Sequence, residues 1–229
     1  MITIEDLNNS FYEKNLFSMH KGKVVITEKK NIGLEGKLQK VTLLTDGDLI
    51  ELSNLYLQKT SEVFKKVSGK FSFKQDCDGI FLLNKGEKQY LIVVELKSGF
   101  DTKAFCQIAS SYIRCKAMLR NISTYDPSQN YAEKAFLISY EDDYQKYDAI
   151  SNSKVLASKK LLADSSMGDV LNSFRVQIKK KGKILVNPSD FHLESMSIPS
   201  DLLMKNLEIV GVKIKKGICE ESIQLDSLL

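Results

Sequence analysis

Residues 75–99, QDCDGIFLLNKGEKQYLIVVELKSG, decide how this chain is read. Two apolar runs, Gly79 to Leu83 and Tyr90 to Leu96, flank the polar connector Asn84-Lys85-Gly86-Glu87-Lys88 and predict a β-hairpin. Charges stand at its open end: Asp78 opens the first run, and Glu95-Leu96-Lys97 closes the second. A turn centred between Gly86 and Glu87 sets Asp78 directly across from Glu95. Opposed residues share a face, with Cβ atoms about 4.5–5.5 Å apart. Lys97, two residues beyond Glu95, projects from that face too, whereas a slip of one residue would carry Asp78 to the other.

Two carboxylates this close repel each other unless a cation lies between them. Hard oxygen donors suit Mg²⁺, with Mn²⁺ as a substitute, because Mg²⁺ keeps several waters and takes only one or two protein carboxylates. A neighbouring lysine ammonium could orient or help deprotonate a metal-bound water, or offset charge on a phosphorane-like transition state. The combination matches the needs of phosphodiester hydrolysis. The bland alternative is a set of strand-end charges on a solvated rim.

Working outward, Leu52, Leu55, Tyr56, Val63, Phe64 and Val67 recur at helical steps and predict a helix over about 49–67, with Gly69 as its stop. After the hairpin, Thr102 to Leu119 carries the mostly apolar stripe Phe105, Ile108, Ala109, Tyr112 and Ile113, with Asp101 as its cap. Ala135 to Tyr140 reads as an interior strand. Before this core, the first residues predict a short helix, then strands at Lys23 to Thr27 and Lys37 to Leu44. After it, Lys183 to Val186 and Leu207 to Ile214 are the clearest strands, with Pro188 and Pro199 at turns. The expectation is one α/β domain over 1–229, with its core at about 48–140 and a C-terminal extension at about 141–229.

Composition narrows the classes. With 43% hydrophobic residues, 229 residues can bury one sizeable core. No apolar run approaches the roughly 20 residues of a membrane helix, and Met1-Ile2-Thr3-Ile4-Glu5-Asp6 lacks a leader pattern, so a cytoplasmic protein off the membrane is expected. Cys77, Cys106, Cys115 and Cys219 are scattered without metal-ligand spacing, which fits reduced thiols and not a zinc site. His20 and His192 are the only histidines, leaving little material for histidine-activated nucleophiles. The net charge of +4 permits a nucleic-acid partner without requiring one. Arg175, Lys179, Lys180, Lys181 and Lys183 cluster and read equally well as a solvated face.

Asp78, sixteen intervening residues, then Glu95-Leu96-Lys97 resembles the signature of the PD-(D/E)XK nucleases, the restriction-endonuclease-like superfamily. The order helix, hairpin, E-x-K strand, helix, strand is similar to that superfamily's core too. The resemblance covers about 48–140 and implies a mixed central sheet flanked by helices, with N-terminal β-rich and C-terminal α+β additions. It implies Asp78 and Glu95 as metal ligands, joined by the Leu96 backbone carbonyl, and Lys97 as the catalytic lysine. Gln107 would join them from the following helix, and an acidic residue from the preceding one, with Glu62 first and Glu51 second. Asp76 shares the strand parity of Asp78 and is its substitute in a different register. Two positions depart from the pattern. Cys77 stands where proline is common, and Ser111 occupies the place four residues after Gln107 where some members carry tyrosine, Tyr112 being one further on. The second departure weighs against the helicase-associated exonuclease branch.

The expected function is a Mg²⁺-dependent nuclease, a DNA endonuclease of restriction or other defence type. The absence of a GxxxxGK[ST] motif favours a self-sufficient cutter. A homodimer would supply the two sites a double-strand cut needs. DNA is favoured over RNA, though phosphate chemistry alone does not separate them. The competing expectations are a non-catalytic nucleic-acid-binding or assembly protein on the same fold, an RNA-directed nuclease, and an unrelated α/β interaction protein.

Overall fold

The computed structural model describes residues 1–11, 16–28, 31–52, 76–98, 103–122, 126, 132–140, 167–191, 193, 198–203 and 207–229. The hairpin forms as expected. Strands β3 (Gly79–Lys85) and β4 (Lys88–Lys97) are joined by the two-residue turn Gly86-Glu87, where Gly86 supplies the positive φ of 58°. Gly79 lies opposite Val94 and Lys85 opposite Lys88, the register that a turn centred on Gly86 and Glu87 dictates.

Around the hairpin lies an open mixed sheet of eight strands. On the β3 side, β2 (Lys40–Leu52) runs antiparallel to it and β1 (Phe17–Thr27) antiparallel to β2. On the β4 side, β5 (Ala132–Tyr140) is parallel to β4, and β7 (Leu207–Ile214) is parallel to β5. Strand β6 (Lys183–Val186) closes that edge antiparallel to β7. The last strand, β8 (Glu220–Gln224), returns to lie parallel to the first half of β2. The N-terminal strands and the C-terminal elements therefore extend the sheet that holds the hairpin. Helices α1 (Ile4–Ser10), α2 (Lys103–Leu119) and α3 (Met167–Lys181) complete the regular elements used below. None of the helices among the described residues is long and apolar enough to cross a membrane.

Strand alternation divides the core in two. Leu91 and Val93 of β4 pack with Ile80 and Leu82 against α2 and α3, through Phe105, Ile108, Tyr112, Phe174 and Ile178. Ile92, Val94 and Leu96 face the other way, into a cluster with Val24, Leu43, Phe136 and Leu225. Because β4 is buried on both faces, its sequence is a continuous apolar run.

The expected helix over about 49–67 fails at its start. Leu49 to Leu52 finish β2, pairing with β1 and, as far as Glu51, with β3. Their run reads ambiguously because Leu49, Ile50 and Leu52 are all buried, which removes the alternation that marks a half-buried strand. Residues 53–67, with Glu62, lie outside the described residues, as do Asp101 and His192.

Strand β2 changes partner along its length, from β8 at Lys40–Leu44 to β3 at Asp48–Glu51. Gly47 sits at the changeover, where a Cβ would lie 2.5 Å from the Asn84 carbonyl oxygen. The chain end is fastened there. The Asp226 carboxylate accepts hydrogen bonds from the Thr45 hydroxyl (2.7 Å) and the Asp46 N–H (2.9 Å), and pairs with Lys85 at 2.7 Å. Partial burial works against its charge, but Lys85 and these donors outweigh it and hold the carboxyl below the usual aspartate range. Asp226→Asn is expected to cost about 1–2 kcal/mol in urea unfolding near neutral pH. A lowered carboxyl stabilises only while ionised, so the difference from wild type should shrink as pH falls below the ordinary aspartate range.

Candidate active site

The end of β4 carries a carboxylate into the core. Glu95 follows Leu91 and Val93 on the face toward α2 and is 0% exposed. Its Oε1 forms an ion pair with the Lys97 ammonium, and among the described residues neither carboxylate oxygen receives a hydrogen bond of ordinary geometry. Burial pushes the Glu95 carboxyl well above the usual glutamate range, and the charge of Asp78 adds to the rise; Lys97 offsets part of it. The Lys97 ammonium is disfavoured by its own burial, yet Glu95 and then Asp78 outweigh that and raise its pKa, so it is a cation.

Asp78 lies one step past the last ladder pair, in the register the hairpin turn dictates. Its N–H donates to the Val94 carbonyl at 3.0 Å, and its Oδ2 accepts the Leu96 N–H at 2.7 Å. The aspartate is thereby fixed against the peptide that links Glu95 to Leu96. Lys97 Nζ also donates to Gln107 Oε1 on α2 at 2.9 Å. Asp78, Glu95, Lys97 and Gln107 thus converge at one end of the sheet.

Helix α2 holds the chain leading into Asp78. Gln107 Nε2 donates to the Asp76 carbonyl at 2.7 Å, and Ser111 Oγ accepts the Cys77 N–H at 2.9 Å. The Arg114 guanidinium, on a residue 1% exposed, is ion-paired with the Asp76 carboxylate. Ser111 therefore occupies the position facing this segment, while Tyr112 is buried in the core beside it.

Other expectations fall elsewhere. Glu51 points to the opposite face of the sheet, because it pairs with Phe81 of the other cluster, and it binds His20 at 2.8 Å. It is not brought to Glu95. Asp76 is committed to Arg114. The Leu96 side chain faces the second cluster, but its backbone is part of the site through the Asp78 bond. Within the basic stretch, Lys183 pairs with Glu208 at 2.8 Å. The thiols of Cys77 and Cys115 are pushed up by burial and are unreactive packing groups. No group of three or more metal-ligating His, Cys, Asp or Glu side chains forms among the described residues.

Sequence reasoning missed Ser111 and Arg114 as polar partners of residues 76–77, although their spacing of four and seven from Gln107 marks one helix face. It also missed Glu28, whose charge acts on both Glu95 and Lys97 from the loop after β1. Comparison with protein-family models, curated proteins and solved structures finds no match.

Two outcomes follow for the metal-free protein. Asp76→Ala strips a buried guanidinium of its carboxylate and should cost about 3 kcal/mol or more in urea unfolding. Glu95→Gln should raise the thermal midpoint, by more at alkaline than at acid pH. A carboxyl held up by burial binds its proton more tightly in the folded than in the unfolded chain, so wild type loses stability as pH rises above the ordinary glutamate range, and the glutamine variant does not.

Proposed function

We propose that the protein is a Mg²⁺-dependent nuclease that hydrolyses phosphodiester bonds, a DNA endonuclease of restriction or defence type akin to the PD-(D/E)XK enzymes. The observation that carries this reading is Glu95. A carboxylate buried at 0% exposure, with the Lys97 ammonium on one oxygen and no hydrogen bond to the other among the described residues, costs folding stability, and it lies beside a second carboxylate. Natural chains retain such costs where chemistry needs them.

The donor set fits Mg²⁺. Asp78 and Glu95 offer hard oxygens from the two arms of the hairpin, the Leu96 carbonyl follows directly on Glu95, and two carboxylates suffice for an ion that keeps its waters. When bound, the ion would supply an activated water and charge stabilisation at the phosphate. The chain's residues have separate tasks. Asp78 and Glu95 would hold the cation at the strand end. Lys97 would present its ammonium to the phosphate oxygens as a positive charge at the site. Gln107 holds the Lys97 ammonium toward the site. Substrate would approach from the ends of β4 and α2, where the Lys97 side chain retains 19% exposure.

The closure of Glu95 onto Lys97 also suits a non-catalytic nucleic-acid-binding or assembly protein on the same scaffold. One assay separates the two. Plasmid, linear and single-stranded DNA and RNA are incubated with Mg²⁺ or Mn²⁺, using wild type, Glu95→Ala and Lys97→Ala. Metal-dependent cleavage by wild type should fall at least about 100-fold in each variant. Cleavage that survives both substitutions removes this site from the reaction.

A further inference from the structure

Among the described residues, no strand pairs with residues 76–77. The β3–β4 ladder ends at Gly79 opposite Val94, and the β2–β3 ladder ends at Phe81 opposite Glu51. Asp78 is nonetheless held in register, from one side by Val94 and Leu96. The hold on the other side comes from α2.

Gln107, Ser111 and Arg114 lie four and three residues apart, a spacing that puts them on one helix face. All three reach the two residues before Asp78: Gln107 bonds the Asp76 carbonyl, Ser111 the Cys77 N–H, and Arg114 the Asp76 carboxylate. Ser111 and Arg114 are wholly buried in a helix that is otherwise mostly apolar on every side. Polar groups so placed cost stability unless they are paired, and here the pairing goes to the chain entering the site. Gln107 ties the two halves together, because its other end accepts the Lys97 ammonium at 2.9 Å.

We propose that Ser111 and Arg114 are positioning residues of the nuclease site, acting through the Cys77 N–H and the Asp76 carboxylate to set where the Asp78 carboxylate stands relative to Glu95. This rests on the metal-dependent reading above. Groups that orient a metal ligand from behind tune its affinity, and their loss costs about 10–100-fold. A mere staple between helix and loop would cost stability and leave the site's affinity unchanged.

Ser111→Ala is the discriminating variant, since it deletes one hydroxyl and keeps a good helix former. Ser110→Ala is its control, because the Ser110 hydroxyl is buried one residue away with no hydrogen-bond partner among the described residues. Mn²⁺ binding is read by electron paramagnetic resonance of the free ion, alongside single-turnover cleavage and the metal-free thermal midpoint. Ser111→Ala should bind Mn²⁺ about tenfold more weakly and cleave about tenfold more slowly. Its KM for DNA should stay within about twofold and its metal-free midpoint should fall by a few degrees, because the buried Cys77 N–H loses its acceptor, while Ser110→Ala matches wild type throughout. Should Ser111→Ala fail to fold, Ser111→Cys replaces it: its thiol fills the space but accepts the Cys77 N–H only weakly, and it should weaken Mn²⁺ binding in the same direction. Wild-type binding of Mn²⁺ that persists unchanged in the folded variant overturns the positioning role and leaves the nuclease reading standing. A wild type that binds no Mn²⁺ overturns the nuclease reading itself, and this inference with it.

Discussion

The structure depends on one constraint: the central strand β4 is buried on both faces, yet it ends in charge. From Leu91 to Val94 every side chain finds an apolar neighbour on one side of the sheet or the other. Glu95 continues the inward alternation and so enters the core with a carboxylate where the pattern calls for an aliphatic side chain. Its neighbourhood follows from accommodating that charge. Lys97 folds back onto it, Asp78 is drawn alongside by the hairpin register, and α2 presents polar groups on an otherwise greasy surface. A fold under no functional demand would place leucine at this position and dispense with the rest.

The parts of this arrangement that are legible in the sequence are those set by short-range geometry. A two-residue turn around Gly86 fixes which residues of β3 and β4 oppose one another, so the meeting of Asp78 with Glu95 can be read from the chain alone. Helix α2 and strands β6 and β7 are readable for the same reason: each carries its own periodicity within a continuous stretch. Long-range pairing is not. Arg114 looks like an ordinary surface arginine until Asp76, 38 residues earlier, is packed against it. Nothing local in Glu220–Gln224 reports that it will lie beside Lys40–Leu44. Leu49–Leu52 misleads because a strand buried on both faces loses the alternation by which strands are recognised.

The topology gives the flanking segments a structural role in the site. Strands β1 and β2 bring the loop after β1 to the end of β4, where the Ser98 hydroxyl accepts the Leu38 N–H at 3.0 Å and Glu28 adds its charge to the field of the Glu95–Lys97 pair. The C-terminal segment in turn locks β2 through β8 and Asp226. The hairpin is therefore clamped between elements from both ends of the sequence, with stability drawn from the flanks to hold a costly carboxylate at the middle.

The central claim is that Asp78 and Glu95 form one cation site, and direct location of a bound ion tests it most simply. Crystals of the wild-type protein soaked in Mn²⁺ would be measured at the manganese absorption edge. The account predicts an anomalous peak at coordination distance from carboxylate oxygens of both residues, with Lys97 turned away from Glu95, and no such peak in Glu95→Gln crystals. A peak elsewhere on the molecule, or none at saturating Mn²⁺ with the Glu95–Lys97 pair intact, would contradict it.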